Sequence, residues 1–477
     1  MWLCAAVIVG PTLTAACTSS TTISADLAIS SVTIVDVETG ELRADQTVLI
    51  SGDRIVMVVP TALAAPPAGA QLVDGEGRYL IPGLWDAHVH AARNLAWHLP
   101  MFLAHGVTAI RNMNPGTDDA IPLTQSIRRR LASGDLLGPR MIAGGPTVDG
   151  DPPAATSPMV ARDAAAARAA VDALADAEMD FVKVYENLSR DAYFALMARA
   201  EELGAPVDGH IPFRVLPEEA AAAGQRTIEH LRGMEWGCAS NANVHRVELE
   251  RLVDSLAAMT PDEQVLAVTR HQRALFDARD EALCQATAEA YRRNGVAVVP
   301  TMIVYPRIAR PEAVLAGPDA QLVPAPLVAR WRAMTSSRLW SVVQSEVAPI
   351  PDLQLANVRL LHEVGVVILA GTDVGGGGPE MLIPGLSLHE ELELLIDAGL
   401  SPIEALRAAT IDPARVFGLD GELGRIAEGT YADLVLLDAN PLEDITNTRR
   451  IEAVVVNGRY LDRSALVSLR ARASVTP

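Results

Sequence analysis

Aromatic side chains are scarce, at 4% of the 477 residues, and cysteine occurs only four times. So few cysteines exclude a disulfide-dense scaffold, and their wide spacing excludes a cysteine-based zinc cluster. The apolar share, 49%, is carried mainly by Ala, Val and Leu. That suits closely packed helices and buried parallel strands. Positive charge is also short: Lys plus Arg total 39 against 59 Asp plus Glu, for a net charge of −20. A uniformly acidic surface repels phosphate backbones, so nucleic acid is not an expected partner. Arg far outnumbers Lys, so a lysine inside an apolar run stands out. The run from Trp2 to Ala16 has about 15 residues, short of the roughly 20 needed to cross a bilayer.

That run ends in Leu13-Thr14-Ala15-Ala16-Cys17, followed by the polar stretch Thr18 to Thr22. Small residues before a cysteine, after an apolar core, resemble a bacterial lipoprotein signal, although no basic residue precedes the core. Residues 1–22 are therefore read as signal and linker, with Cys17 as the lipidated residue. The expected location is the periplasm or cell envelope. A lipid anchor at Cys17 is the only membrane contact expected. Outside the cytosol, Cys238 and Cys284 could pair as a disulfide or remain separate buried thiols.

The rest of the chain divides by periodicity. Leu27 to Val37, Thr47 to Ile50, Arg54 to Val59, Leu72 to Asp74 and Gly75 to Ile81 read as strands, with a hairpin turn at Ser51-Gly52-Asp53. Ala432 to Leu437 and Ile451 to Val456 match them at the far end, followed by a tight turn at Val456-Asn457-Gly458-Arg459. Between these ends lie eight short apolar runs: Leu84 to Ala87, Gly106 to Ile110, Arg140 to Ala143, Phe181 to Val184, Pro206 to Gly209, Arg226 to Ile228, Ala297 to Pro300 and Val366 to Ala370. Ala-rich helical stretches separate several of them, such as Ala161 to Ala177, Arg190 to Leu203 and Pro217 to Ala223. The predicted fold class is α/β: a (β/α)8 TIM barrel with a small β-sandwich built from the N- and C-terminal segments. The corresponding boundaries are 23–81 and 416–477 for the sandwich and 82–415 for the barrel. A helical insertion is expected at about 231–296, and Ile303 to Glu346 could extend it.

Barrels of this kind present their chemistry at the C-terminal ends of the strands. His88 and His90 stand two apart on a strand, so both imidazoles face one side and can reach one ion. His210 follows Asp208-Gly209, His230 follows Ile228-Glu229, and Asp373 closes Ala370-Gly371-Thr372-Asp373, each just past an apolar run. Lys183 sits inside Phe181-Val182-Lys183-Val184-Tyr185. A bare ammonium there is costly to bury and repels divalent cations. Carboxylation by CO2 would make it an anionic bridge; pairing with a nearby carboxylate is the alternative.

From Pro82-Gly83-Leu84-Trp85-Asp86-Ala87-His88-Val89-His90 through Lys183, His210, His230 and Ala370-Gly371-Thr372-Asp373, the chain resembles the amidohydrolase superfamily. The resemblance is to its imidazolonepropionase-like and Xaa-Pro dipeptidase-like branch. It continues through Gly399-Leu400-Ser401-Pro402, Glu404-Ala405-Leu406, Ala409-Thr410 and the stretch Gly424 to Asp433. It implies two divalent metal ions, expected to be Zn2+. His88, His90 and Asp373 would hold the more buried ion, His210 and His230 the more exposed one, with N6-carboxylated Lys183 between them.

The expected activity is hydrolysis of a peptide-like C–N bond by a hydroxide bridging the two metals. Asp373 would take and return the proton, and Tyr185 would donate to the oxyanion. A small amide or peptide is the expected substrate, such as an Xaa-Pro or other dipeptide or an N-acyl amino acid, and a homo-oligomer is expected. Arg111, Arg140, Arg214, Arg232 and His245 are candidates for binding a substrate carboxylate. The run Gly375 to Gly378 either gives permissive backbone beside the ligand or forms a flexible loop. His389, Glu391 and Glu393 read as structural residues of a helix. Two rivals are a cyclic-amide hydrolase or deaminase, and an exported solute-binding lipoprotein without catalysis.

Overall fold

The computed structural model describes residues 24–240, 242–256, 258–376 and 381–475. The expected signal segment with Cys17 lies outside them. Near the N-terminus, β1 (Leu27–Val35), β2 (Leu42–Ser51) and β3 (Arg54–Pro60) form an antiparallel meander. Gly52, at φ +57°, makes the hairpin turn expected between β2 and β3. On its other side β1 pairs in parallel first with β4 (Gln71–Asp74) and then with β5 (Tyr79–Pro82). The strand expected from Gly75 begins only at Tyr79. The Arg78 amide turns back onto the Gly75 carbonyl, and Gly77 adopts φ +73°, so the glycines form a turn before the strand.

The middle of the chain alternates strands with helices, and every strand pair in it is parallel. β6 (Leu84–Val89), β7 (Val107–Asn112) and β8 (Arg140–Ala143) form one sheet. β9 (Val148–Asp149), β10 (Met159–Val160), β11 (Val182–Val184), β12 (Val207–Gly209), β13 (Thr227–Glu229), β14 (Ala297–Val299) and β15 (Val367–Ile368) form a second, in the order β10-β9-β11-β12-β13-β14-β15. The two-residue strands β9 and β10 were not anticipated from sequence; runs that short carry no readable alternation. Backbone bonds join the two sheets next to β11 and next to β15. Asp180 N donates to Ala143 O at 3.0 Å, and Ala87 N donates to Ala370 O at 2.9 Å.

Local signals start and stop the flanking helices. Ser189 Oγ accepts from Ala192 N at the start of the helix Arg190–Leu203, and Gly204 ends it at φ +66°. Asp163 caps the helix Ala164–Asp176 in the same way. Such caps satisfy backbone groups that the helix itself leaves unpaired. The buried faces of these helices meet Val148, Val182, Val184, Ile228 and Val298 in one continuous core.

The expected insertion contains four helices: Met234–Gly237, Ala242–Leu256, Pro261–Asp277 and Glu281–Arg293. The last of them packs against Pro217–Ala222 and Ile350–Val364. Cys238 and Cys284 are joined in a disulfide, which resolves the alternative left open by the sequence. Val304–Ala309, Glu312–Leu315, Ala325–Thr335 and Arg338–Val347 add further helices beside it.

The C-terminal strands β16 (Leu434–Leu437), β17 (Ile451–Val456) and β18 (Arg459–Asp462) complete the sheet begun by β1 to β5. β16 pairs with β5, so the two ends of the chain share one sheet of eight strands. Residues from both ends, including Ile29, Val48, Leu80, Leu434 and Val455, enclose a single apolar cluster. Asn457 and Gly458, at φ +49° and +72°, form the two-residue turn between β17 and β18. Among the described residues no helix is long and apolar enough to cross a membrane.

Candidate metal centre

The strand ends converge on one cavity. His88 lies within β6, with His90 directly after it. Lys183 is the middle residue of β11, and His210 and His230 directly follow β12 and β13. Asp373 comes after β15, and two backbone bonds place it: Asp373 N donates to His88 O at 2.8 Å, and His90 N donates to Val374 O at 2.8 Å. Gly371 makes this approach possible, because a Cβ there would lie 2.5 Å from Val299 Cγ1 and 2.9 Å from His88 N. Asp373 and His230 both adopt left-handed backbone conformations, at φ +66° and +58°. Such conformations are unfavourable for non-glycine residues and gather at functional sites.

The four imidazoles share one orientation. His88 Nδ1 is 2.7 Å from Glu229 Oε2, and His90 Nδ1 donates to the Asn114 carbonyl at 2.9 Å. His210 Nδ1 is 3.0 Å from Glu186 Oε1, and His230 Nδ1 is 2.7 Å from Thr301 Oγ1. Each Nδ1 is thus engaged outward, which leaves Nε2 for the centre, as ligating histidines require. His88 Nε2 and His90 Nε2 lie 3.3 and 3.1 Å from Asp373 Oδ1. The ring centroids run in sequence: His90 to His88 5.5 Å, His88 to His230 4.5 Å, His230 to His210 4.9 Å, and His210 to Tyr185 4.2 Å.

His88 Nε2, His210 Nε2 and Asp373 Oδ1 are buried without a hydrogen-bond partner. Orphaned buried polar atoms are uncommon and call for a bound partner such as an ion. His88, His230 and Asp373 each offer a ligand atom within 4.8 Å of the others. The donor set therefore fits a divalent cation. That trio takes one histidine from each of the two sets expected from sequence.

Burial lowers the His90 pKa to about 4 and holds His210 and His230 well below the usual histidine value. They are neutral imidazoles, the form that binds metal. Burial also lowers Lys183 to about 8, against the opposite pull of Glu229 and Asp373. Lys183 is the only lysine in the sequence and is 2% exposed. Among the described residues it has no ion pair, so the expected alternative of a paired carboxylate is not what the structure contains. Its Nζ lies 5.8 Å from the Tyr185 ring centroid. Burial pushes the Tyr185 phenol upward, so it remains a proton donor.

Beneath the cavity lies a charged network that sequence reasoning missed. Arg111 donates to both oxygens of Glu229 at 2.8 Å, to Asp208 Oδ2 at 2.9 Å, to Thr227 Oγ1 at 2.8 Å and to the Ala87 carbonyl at 2.6 Å. Burial alone would raise the Glu229 carboxyl, but Arg111, His88 and Thr227 hold it below the usual range. An anionic Glu229 can only accept from His88 Nδ1, which fixes the tautomer. The sequence held one signal for this: Glu229 and Arg111 both interrupt apolar strands.

Arg111 is therefore a structural residue rather than a substrate contact. Arg140 pairs with Asp433 at 2.7 Å, beside the terminal sheet, and Arg232 pairs with Glu186 and Glu235. Arg214 donates to the Asn187 carbonyl at 3.4 Å, and the His245 side chain lies outside the described part. None of the four arginines lines the cavity, which has a volume of about 230 Å3. Arg93, Asn114 and Thr147 line it instead, beside Lys183, Tyr185 and Asp373. His389, Glu391 and Glu393 are structural, as read from sequence. His389 bonds to Thr448, Glu393 pairs with Arg449, and Glu391 accepts from Met302 N and Ile303 N. Glu391 thereby steadies the loop that carries Thr301, the partner of His230.

Likeness to known proteins extends to both sequence and fold. An imidazolonepropionase of Rubrobacter xylanophilus is 36% identical over 113 residues, which are 23% of this chain and 25% of that protein. The chain thus spans only about a quarter of that curated relative's length. A solved Xaa-Pro dipeptidase structure with bound methionine superposes with a TM-score of 0.65 at 18% identity, covering 91% of this chain and 99% of the other. Bottromycin amidohydrolase gives a TM-score of 0.68 at 26% identity, covering 94% and 89%. The amidohydrolase family profile matches residues 79–461, most of the sequence. The chain belongs to the amidohydrolase family.

Proposed function

We propose that the protein hydrolyses a peptide-like amide bond in a two-metal centre held by His88, His90, Lys183, His210, His230 and Asp373. The observation that carries this reading is the set of orphaned atoms, His88 Nε2, His210 Nε2 and Asp373 Oδ1, around a buried lysine that lacks an ion pair. Divalent ions such as Zn2+, when bound, lower the pKa of water toward neutrality and polarise a carbonyl. A lysine pKa near 8 keeps a useful fraction of the amine neutral, the form that attacks CO2. Nζ then bonds to the carbon and releases a proton, leaving a carbamate in place of a buried cation.

The protein's own groups account for the proton traffic. As water adds to the carbonyl carbon, its proton passes to an Asp373 carboxylate oxygen. The Tyr185 hydroxyl donates to the oxyanion that forms. Collapse breaks the C–N bond, and the departing amine takes the proton from Asp373. The Arg111–Glu229–His88 chain keeps the first ligand fixed throughout. Tyr185→Phe is expected to lower kcat by about 100-fold with KM little changed, the cost of one oxyanion donor. Unchanged kcat in steady-state assays would remove Tyr185 from the chemistry.

We read β6–β8 and β11–β15 as a closed eight-stranded barrel, with β9 and β10 as short additions, and the terminal sheet as its sandwich. The solved relatives support this, as do the backbone bonds that link β8 to the start of β11 and β6 to the end of β15. Export is supported by the buried disulfide, since such bonds persist in oxidising compartments. The deciding experiment is turnover of dipeptides, including Xaa-Pro, and of N-acyl amino acids after reconstitution with Zn2+ and bicarbonate. Amide cleavage with two metals per chain is the expected outcome. A second reading, cyclic-amide hydrolysis, draws support from the imidazolonepropionase match. Ring opening with one metal per chain, and no amide turnover, would establish it instead.

A further inference from the structure

A second cavity, of about 370 Å3, adjoins the metal-side cavity, and Arg93 lines both. Its walls are Trp97 from the helix Leu95–Ala104, Leu327 and Trp331 from the helix Ala325–Thr335, and Met381 with Leu382. The Trp97 indole nitrogen donates to the Leu322 carbonyl at 3.1 Å, so its polar edge is satisfied away from the cleft. Arg330 completes the lining, which among the described residues contains no acidic side chain. Among the described residues Arg330 has no hydrogen bond or ion pair, and Arg93 bonds only to backbone carbonyls. Among the described residues neither arginine has a carboxylate partner, so both guanidinium groups are available to an anionic ligand in the cleft.

Two glycines stand where the cavities meet. Gly375, at φ +82°, packs so closely that a Cβ would lie 2.7 Å from His90 O and 2.8 Å from His98 Cε1. A Cβ on Gly376 would lie 3.1 Å from Asp373 Oδ1. Bare backbone thus keeps the passage beside the catalytic carboxylate clear. At about 230 Å3 the metal-side cavity alone is below the range of ordinary small-molecule sites, roughly 300–1,000 Å3. With its neighbour it falls within that range.

We propose that this second cavity is a specificity subsite for a large apolar, preferably aromatic, substrate side chain whose carboxylate is bound by Arg93 and Arg330. The inference rests on the amide-hydrolase reading and narrows its substrates to aromatic dipeptides and N-acyl aromatic amino acids. The tryptophan walls supply apolar area and ring faces. The arginines supply charge-assisted hydrogen bonds to the carboxylate.

Calorimetric titration of the metal-loaded full chain tests this with three probes that have no scissile bond: 3-phenylpropanoate, propanoate and 3-phenylpropanol. Phenylpropanoate is expected to bind about 10- to 100-fold more tightly than propanoate, and about tenfold more tightly than phenylpropanol. Trp331→Ala should abolish the first preference and Arg93→Gln the second. Should Trp331→Ala fail to fold, Leu327→Trp fills the cleft from its partly exposed wall and is expected to remove the same preference. Equal affinity for phenylpropanoate and propanoate, or preferences that survive these variants, would overturn the subsite. Binding as expected with no amide turned over would sink the hydrolase reading and leave the subsite standing. Amide turnover without aromatic preference would do the reverse.

Discussion

Lys183→Ala should reduce amide turnover by at least about a thousandfold, the scale expected when electrostatic stabilisation of the transition state is lost. It should also lower bound Zn2+ from two ions per chain to one. The reason is local. Lys183 is 2% exposed, it makes no ion pair among the described residues, and it faces the same cavity as His210, His230 and Asp373. Left as an ammonium it would repel any cation bound there. As a carbamate it would supply two anionic oxygens between the histidine sets. Because the sequence contains no other lysine, the carbamate can be read directly. Protein loaded with 13C-bicarbonate should show one side-chain carbamate resonance, absent in the variant. A variant that retains both turnover and two ions would end the two-metal assignment. A missing resonance in the active wild type would end the carbamate assignment alone.

Arg111→Met should destabilise the fold by about 3–5 kcal/mol, the cost of breaking a buried ion pair from one side. Arg111, Asp208 and Glu229 are all 0% exposed, so no solvent can replace the lost donors. Glu229 would lose two hydrogen bonds and Asp208 one, although Arg226 would still hold Asp208 at 2.6 Å. In a chain of this size that loss corresponds to a fall in Tm of roughly 3–5 °C, measurable by calorimetry of the metal-free protein. The same change releases the acceptor that orients His88. Glu229→Gln isolates that effect: with the fold better preserved, metal affinity should drop about 10- to 100-fold. An Arg111→Met protein with an unchanged Tm would show that the network is dispensable.

Several parts of this picture were legible without coordinates. Short apolar runs alternating with Ala-rich helical stretches marked the strands, because a parallel strand buried on both faces carries no polar alternation. His88, His90, His210, His230 and Asp373 were visible because each directly follows such a run, and Lys183 because it interrupts one. Arg93 was not, since an exposed arginine three residues past His90 looks like any other surface cation. The proposed roles of Arg111 and Arg232 as substrate contacts failed for a related reason. Their carboxylate partners arrive from other strands and loops, at separations that composition and spacing cannot pair.

By itself the sequence determined which residue types stand at the strand ends, and therefore what chemistry the centre can support. Periodicity and turn residues are local, and local patterns survive in one dimension. Only the tertiary structure decided that all four imidazoles turn Nδ1 outward, that Cys238 meets Cys284, and that Lys183 makes no ion pair among the described residues. Those are relations between segments far apart in the chain. They follow from how side chains fill a shared interior, where each buried polar group must find whatever partner the packing brings to it.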